Sequence, residues 1–401
     1  MKEFDIVKIG ELVDLRQGFA INAKSKCYIS DKPTTLHLLR IADMRDDNYE
    51  IYIREDIPNQ FIATENDIIY TRTGQVGLVF KNKVGVVHNN CFTVTPKDSS
   101  VLNKDYLYYA LRHVDFYRTA TSLASGSAQP DLSHGAFKSI KIYLPDIDTQ
   151  KHISDILRSL DEKIDLNRQI NDNLEQQLQS LYREWFIENP KADWTTVNLS
   201  KIASFTSGYS YKGNELVESS DTAMATIKNF ERNGGFKIDG YKPIVPSAKL
   251  KIDQRAQLFD ILVAHTDLTQ NAEVIGNAEI LLSKDIYKDL IFSMDLVKVN
   301  AKDSFPFQFL LALLLKNPRF KSHCIGYVNG TTVLHMNKRA LPDYETIIPN
   351  SEDAQSLNAT AKAIFCQMSE NLTEILNLTK LRDTLLPKLM SGELKINEID
   401  C

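Results

Sequence analysis

The chain has 401 residues, room for two or three domains. Hydrophobic residues make up 43% and charged residues 25%, the balance of an ordinary water-soluble globular protein. A net charge of −5 excludes a uniformly basic nucleic-acid binder but not a local basic face.

The start, Met1-Lys2-Glu3-Phe4-Asp5, lacks the apolar core of a signal peptide. Residues 1–145 are short apolar runs bounded by turn formers, which predicts strands at Asp67-Ile68-Ile69-Tyr70, Val84-Gly85-Val86-Val87 and Cys91-Phe92-Thr93-Val94. An amphipathic helix is expected from Tyr106 to Tyr117. Residues 146–189 form a long helix. Its seam runs through Leu157, Leu160, Ile164, Asn167, Asn171, Leu174, Leu178, Leu181 and Trp185 in steps of three and four. Residues 190–349 repeat the first plan: Val7 to Leu12 matches Val197 to Ile202, Gly18 matches Gly208, and Asp67-Ile68-Ile69 matches Asp260-Ile261-Leu262. Phe307 to Lys316 stands where the Tyr106 helix stood. Its apolar run, Phe309 to Leu315, is far short of the ~20 residues a membrane span needs. Residues 350–395 form a second seam through Leu357, Ala361, Ile364, Met368, Asn371, Ile375, Leu378, Arg382, Leu385 and Leu389, and 396–401 are a tail. Five scattered cysteines, with no CxxC and no His/Cys cluster, argue for a reducing compartment and against structural zinc. A cytoplasmic protein is expected.

The duplication is the dominant signal. Gly126-Ser127-Ala128-Gln129 leads to Leu144-Pro145 and a helix, and Gly330-Thr331-Thr332-Val333 leads to Ile348-Pro349 and another. The offset is 204 at both ends and through the seams, where Ile164 superimposes on Met368, Asn167 on Asn371 and Leu181 on Leu385. In the globular parts it drifts from 190 to 186 to 193, so the copies differ by loop insertions. Each helix could simply pack on its own domain, but matched seams with matched Asn residues favour pairing between the two helices. The expected fold is α+β: two mixed α/β domains separated by two long helices that pair as an antiparallel coiled coil about a pseudo-two-fold axis. Roughly 35 residues of helix would span on the order of 50 Å.

Catalytic motifs are missing. There is no P-loop and no Rossmann glycine fingerprint. Asn317-Pro318-Arg319-Phe320 resembles an amino-methyltransferase motif, but Arg319 replaces the second proline and no glycine-rich cofactor loop precedes it. Pro145-Asp146 with Asp161-Glu162-Lys163 mimics a nuclease motif, yet the latter three residues are expected on the solvated outer face of the first long helix. The eight histidines show no metal spacing, so no metal site is expected.

The best binding signal is Tyr70-Thr71-Arg72-Thr73-Gly74-Gln75-Val76-Gly77, a strand opening into a glycine-punctuated loop. Arg72 and Gln75 suit guanine and adenine edges, Thr73 suits a phosphate or a thymine methyl, and Gly74 permits close backbone approach. The second copy offers His265, Thr266, Thr269 and Gln270. An ordinary polar hairpin loop is the plain alternative. Ser127, Gln129, Thr331 and Thr332 are second candidates, with a turn before a strand as their alternative. Phosphates could be held by Arg16 and Arg40 in copy one and by Tyr209, Tyr211, Lys212 and Lys228 in copy two, with exposed salt bridges as the alternative.

The chain resembles the specificity subunit of type I restriction-modification enzymes along nearly its whole length. The match is carried by Gly126-Ser127-Ala128-Gln129 before Ile140 to Pro145, by Gln150-Lys151-His152-Ile153, by Leu181 to Phe186, and by Leu385 to Leu394. Val333 stands where Gln129 stands in the first copy, a departure from the shared pattern. The resemblance implies a non-catalytic subunit whose two domains each read half of a split double-stranded DNA site. Its helices would set the spacing and dock methyltransferase subunits, two of them, with restriction-translocase subunits joining. S-adenosylmethionine, ATP and Mg are expected in those partners and no cofactor in this chain. A coiled-coil adaptor whose heads bind protein is the other reading.

Overall fold

The structure is a computed structural model and describes residues 4–126, 128–269, 271–330 and 333–394. It divides into two compact units, residues 1–163 with 378–401, and residues 164–377.

In unit 1 a four-stranded antiparallel sheet runs in the order Val13–Gln17, Cys91–Pro96, Ile68–Thr71, Val79–Phe80. A five-stranded sheet holds Leu36–Leu39 parallel to Gly85–Val87, with Leu38 opposite Val86. Asp5–Lys8 pairs antiparallel with Lys141–Leu144, the strand that leads into the long helix. Tyr70 and Phe92 on two of these strands are buried as one cluster with Phe137 of the helix His134–Ser139, with ring centroids 4.9–5.5 Å apart.

Unit 2 repeats this topology. Thr195–Asn198 pairs with Glu345–Ile348. A four-stranded sheet runs Ala203–Ser207, Leu296–Ala301, Ile261–Ala264, Ala278–Ile280. A second sheet holds Thr222–Ala225 parallel to Asp289–Phe292. The Gly18/Gly208 match has a physical cause. A Cβ on Gly18 would lie 2.3 Å from the His88 carbonyl oxygen, and one on Gly208 would lie 2.0 Å from that of Ser293. At both places the backbone of a neighbouring strand passes too close for any side chain.

The helix expected from Tyr106 to Tyr117 is two helices, Lys104–Arg112 and Val114–Leu123. The chain turns extended at His113, whose Nδ1 accepts the Asp115 N–H at 3.2 Å and so starts a new helix. Unit 2 breaks at the matching place, between Gln308–Leu315 and Pro318–Ile325. There the Asn317 Oδ1 accepts the Phe320 N–H at 3.0 Å, and Pro318 occupies the first helical turn. Asn317-Pro318-Arg319-Phe320 is a helix start.

The long helices are Ile147–Arg183, which continues into a wider π-helical turn over Glu184–Glu188, and Ser351–Ser391. Within unit 2 their segments lie against each other. Asn167 Nδ2 donates to Glu374 Oε2 at 2.8 Å, Asn371 Nδ2 to Asn171 Oδ1 at 2.8 Å, and Asn171 Nδ2 to the Met368 carbonyl at 3.2 Å. Partner numbers fall as Asn167 gives way to Asn171, so these segments run in opposite directions. Ile164, Asn167, Leu178, Met368 and Asn371 are buried there, while Leu174, Leu181, Ile364 and Ile375 are half-buried. The seam reading omitted Phe365, which is fully buried. Within unit 1, Leu157, Leu386 and Leu389 enter the core, with Leu160, Leu378 and Leu385 half-buried. Asp161 departs from expectation. Glu162 and Lys163 are exposed, but Asp161 accepts from Arg382 at 2.7 Å, Tyr109 at 2.9 Å and Arg112 at 3.1 Å. Burial pushes its carboxyl up. The Arg382 hydrogen bond and the Arg112 charge outweigh that and hold it below the usual range.

Candidate nucleic-acid interface

The loop after Ile68–Thr71 is built from its own first residue. The Thr71 hydroxyl donates to the Gln75 carbonyl and accepts the Leu78 N–H at 2.9 Å, and the Gly77 N–H returns to the Thr71 carbonyl at 3.1 Å. Gly74 has φ +84°, a left-handed conformation that favours glycine, and no heavy atom lies within 4 Å of where a Cβ would stand. The side chain of Gln75 is exposed at the loop's crest. A groove of about 380 Å³ beside it is lined by Arg45, Gly74, Gln75, Tyr117, Thr121 and Pro130.

Several candidate cations are already engaged. Arg72 grips both oxygens of Asp131 at 3.0 and 2.7 Å and reaches Gln17 Oε1 at 3.2 Å. Thr73 donates its hydroxyl to the same Asp131. The Thr73 hydroxyl and the Arg72 guanidinium hold the Asp131 carboxyl below its usual range, against a smaller effect of burial. Arg40 forks onto Asp43 at 2.6 and 2.7 Å and meets Glu50 at 3.1 Å. Arg16 spans Thr93 at 3.1 Å, the Ile62 carbonyl at 3.2 Å and Asp67 at 3.5 Å. These side chains brace the domain in the state seen.

The phosphate candidates of unit 2 separate into two kinds. Tyr209 is 3% exposed, and its hydroxyl joins Glu215 at 2.7 Å and Ser247 at 2.9 Å, so it is a core residue whose hydroxyl is already engaged. Backbone and hydroxyl donors, the Lys212 N–H first, hold Glu215 down at about 2, which makes that corner anionic. Tyr211 is half-buried, whereas Lys212 and Lys228 are exposed. In the loop after Ile261–Ala264, Thr266 is buried and donates to Asp295 at 3.1 Å, Thr269 donates to Asp267 at 2.8 Å, and His265 is half-buried. Gln129 is exposed. Ser127, Gln270, Thr331 and Thr332 lie outside the described residues.

In each copy, described residues beside the two candidate loops pair with each other. In unit 1 Thr73 bridges Asp131, and in unit 2 Thr266 bridges His335 within the pair Thr266–Asp267 and Leu334–Met336. Asp131 escaped the sequence reading because it stands 59 positions from Arg72. The signal available was the repeat itself, whose offsets of 193 and 204 carry the pair Thr73/Asp131 onto Thr266/His335. Among the described residues no group of three or more His, Cys, Asp or Glu could hold a metal ion, and no helix is long and apolar enough to cross a membrane.

This scaffold of duplicated loops defines a class. Residues 1–176 match the family described as the Type I restriction modification DNA specificity domain. The chain is 24% identical to the Type I restriction enzyme HindI specificity subunit of Haemophilus influenzae, over 86% of this chain and 90% of that one. It is 24% identical to the MjaIX specificity subunit of Methanocaldococcus jannaschii, over 99% and 95%. The fold is similar to the crystal structure of a Type-I restriction-modification system S subunit from M. genitalium, with TM-score 0.58, 17% identity and 97% of both chains covered. Over most of its length the chain is similar to type I restriction enzyme specificity subunits. These comparisons lend no support to the adaptor reading.

Proposed function

We propose that this chain is the non-catalytic DNA-recognition subunit of a type I restriction-modification complex. Each of its two globular domains reads one half of a bipartite double-stranded target. Phosphate contacts orient the domains, and loops enter the grooves to read base edges. The two long helices pair along their length as an antiparallel coiled coil, set the gap between half-sites and dock two methyltransferase subunits, and restriction-translocase subunits join that assembly. S-adenosylmethionine, ATP and Mg act in those partners, and the chain works in the cytoplasm.

One observation carries this reading. Corresponding strand-loop scaffolds in the two units present unlike side chains, Arg72-Thr73-Gly74-Gln75 in one and His265-Thr266-Asp267-Leu268 in the other. A duplicated frame with dissimilar loops suits a target with two dissimilar halves. Gln75, Gln129, Lys212 and Lys228 are the exposed candidates for contact. The test is selection from random duplex DNA by the chain co-expressed with a type I methyltransferase subunit. A consensus of two short halves separated by an unspecified gap is expected, and a contiguous consensus or none rejects the proposal.

A further inference from the structure

Two loops of unit 1, far apart in sequence, meet on one carboxylate. Both oxygens of Asp131 accept from Arg72 Nη2, and one also accepts the hydroxyl of Thr73. Its backbone bridges Thr73 on one side and Ser125 on the other. The Gly74 N–H donates to the Pro130 carbonyl at 2.8 Å and the Leu132 N–H to that of Arg72 at 2.9 Å, which closes the junction. Arg72 is 20% exposed and Asp131 39%, so the ion pair adds little to global stability. Its geometric effect is larger. With Nη2 held by both Asp131 oxygens and Nη1 by Gln17 Oε1 at 3.2 Å, the guanidinium is fixed in plane as well as in distance. Gly74 and the exposed Gln75 follow immediately.

Unit 2 lacks this clamp. His265 corresponds to Arg72, since its N–H meets the Asp295 carbonyl at 2.8 Å as that of Arg72 meets the Asn90 carbonyl at 2.8 Å. His335 corresponds to Asp131, because it lies opposite Thr266 as Asp131 lies opposite Thr73. Burial first, then His335 and Lys338, hold the His265 imidazole below its usual range, with Asp295 opposing. No carboxylate–guanidinium pair is possible between two histidines. The Thr266 hydroxyl turns to Asp295 instead.

We propose that Asp131 is the positioning residue of the unit 1 reading loop: it fixes Arg72 and Thr73 so that the loop meets DNA in one geometry, and unit 2 reads without such an ionic clamp. The proposal rests on the DNA-recognition reading above. It is tested with Asp131→Asn in the full chain with its methyltransferase partner, by selection from random duplex DNA. Selectivity in one half-site should fall on the order of tenfold, with the other half unchanged. An effect of charge alone gives a different result, because removing a negative charge would tighten binding to every sequence equally. Uniform tightening with both halves intact overturns the proposal, as does unchanged selectivity. Should Asp131→Asn fail to fold, Arg72→Lys decides. It keeps the charge and loses the planar guanidinium held by Asp131 and Gln17, so it should relax the same half, and intact selectivity again overturns the proposal. A wild-type complex that yields no bipartite consensus sinks the recognition reading itself, a result separate from any effect of the variants.

Discussion

At the scale of single residues, opposite behaviour is expected from a buried glycine and an exposed glutamine. A methyl group on Gly18 or Gly208 would meet a carbonyl oxygen of the backbone, and a strand cannot move aside as a side chain can. Gly18→Ala and Gly208→Ala should each cost about 1–3 kcal/mol, read as a lowered urea midpoint. A midpoint unchanged in either variant contradicts the close approach. Gln75 is exposed on a loop that Thr71 holds by its main chain. Gln75→Ala should therefore leave stability within ~0.5 kcal/mol while one base position loses about 1–3 kcal/mol of discrimination in a binding selection. Equal loss at every position would instead mark a backbone contact. The glycine match was legible in the sequence because the same steric demand recurs at offset 190. The fate of Arg72 was not, since an arginine in a loop looks the same whether its partner is a guanine or a carboxylate 59 positions away. Arg40 could have been read better. Its partner Asp43 is only three residues on, on the first turn of the helix Ile41–Asp46.

At the scale of elements, the heptad pattern gave the helices but not all that they hold. Asp161 falls outside the apolar stripe, and a stripe pattern alone assigns such a position to solvent. Its partners Arg112 and Arg382 come from other helices, which one helix's periodicity cannot report. The break at His113 was equally hidden, because the residues on both sides keep a helical pattern and neither Pro nor Gly marks it. The Asp161 cluster makes a pH prediction. Its carboxyl is depressed in the folded state, so the stabilisation is full above the unfolded carboxylate pKa of about 3.9 and is lost as pH falls through the lower folded value. Asp161→Asn should cost about 2 kcal/mol at pH 7, below the range for a fully buried pair because these side chains are 13–25% exposed. Urea midpoints of wild type and variant should draw together as pH is lowered below about 3.9. A gap that stays constant would place the effect in packing rather than charge.

For the whole molecule, the duplication was the most legible feature, because a repeated topology needs the same glycines, seams and helix starts twice. The drifting offsets were legible too, and they fall in loops, where insertions disturb no core. On the proposed reading the paired helices act as a ruler, and this can be tested by lengthening both together. One heptad inserted at matched positions in each helix adds ~10 Å, about three base pairs of DNA. Rotation must be considered as well. Seven residues turn a helix by nearly two whole turns, leaving a drift of only ~20°. Three added base pairs rotate the second half-site by roughly 100°, given about 10.5 base pairs per turn. A one-heptad variant should thus select a gap about three base pairs longer, at reduced affinity, because the DNA must twist to bring both halves to the domains. Three heptads in each helix add ~31 Å, about nine base pairs and close to a full turn of the duplex. Affinity should then recover on a gap of that greater length, with both half-site sequences unchanged. A gap that ignores the insertions, or an affinity that falls steadily with each heptad, would remove the ruler from the mechanism and leave the helices only as a place where partner subunits dock.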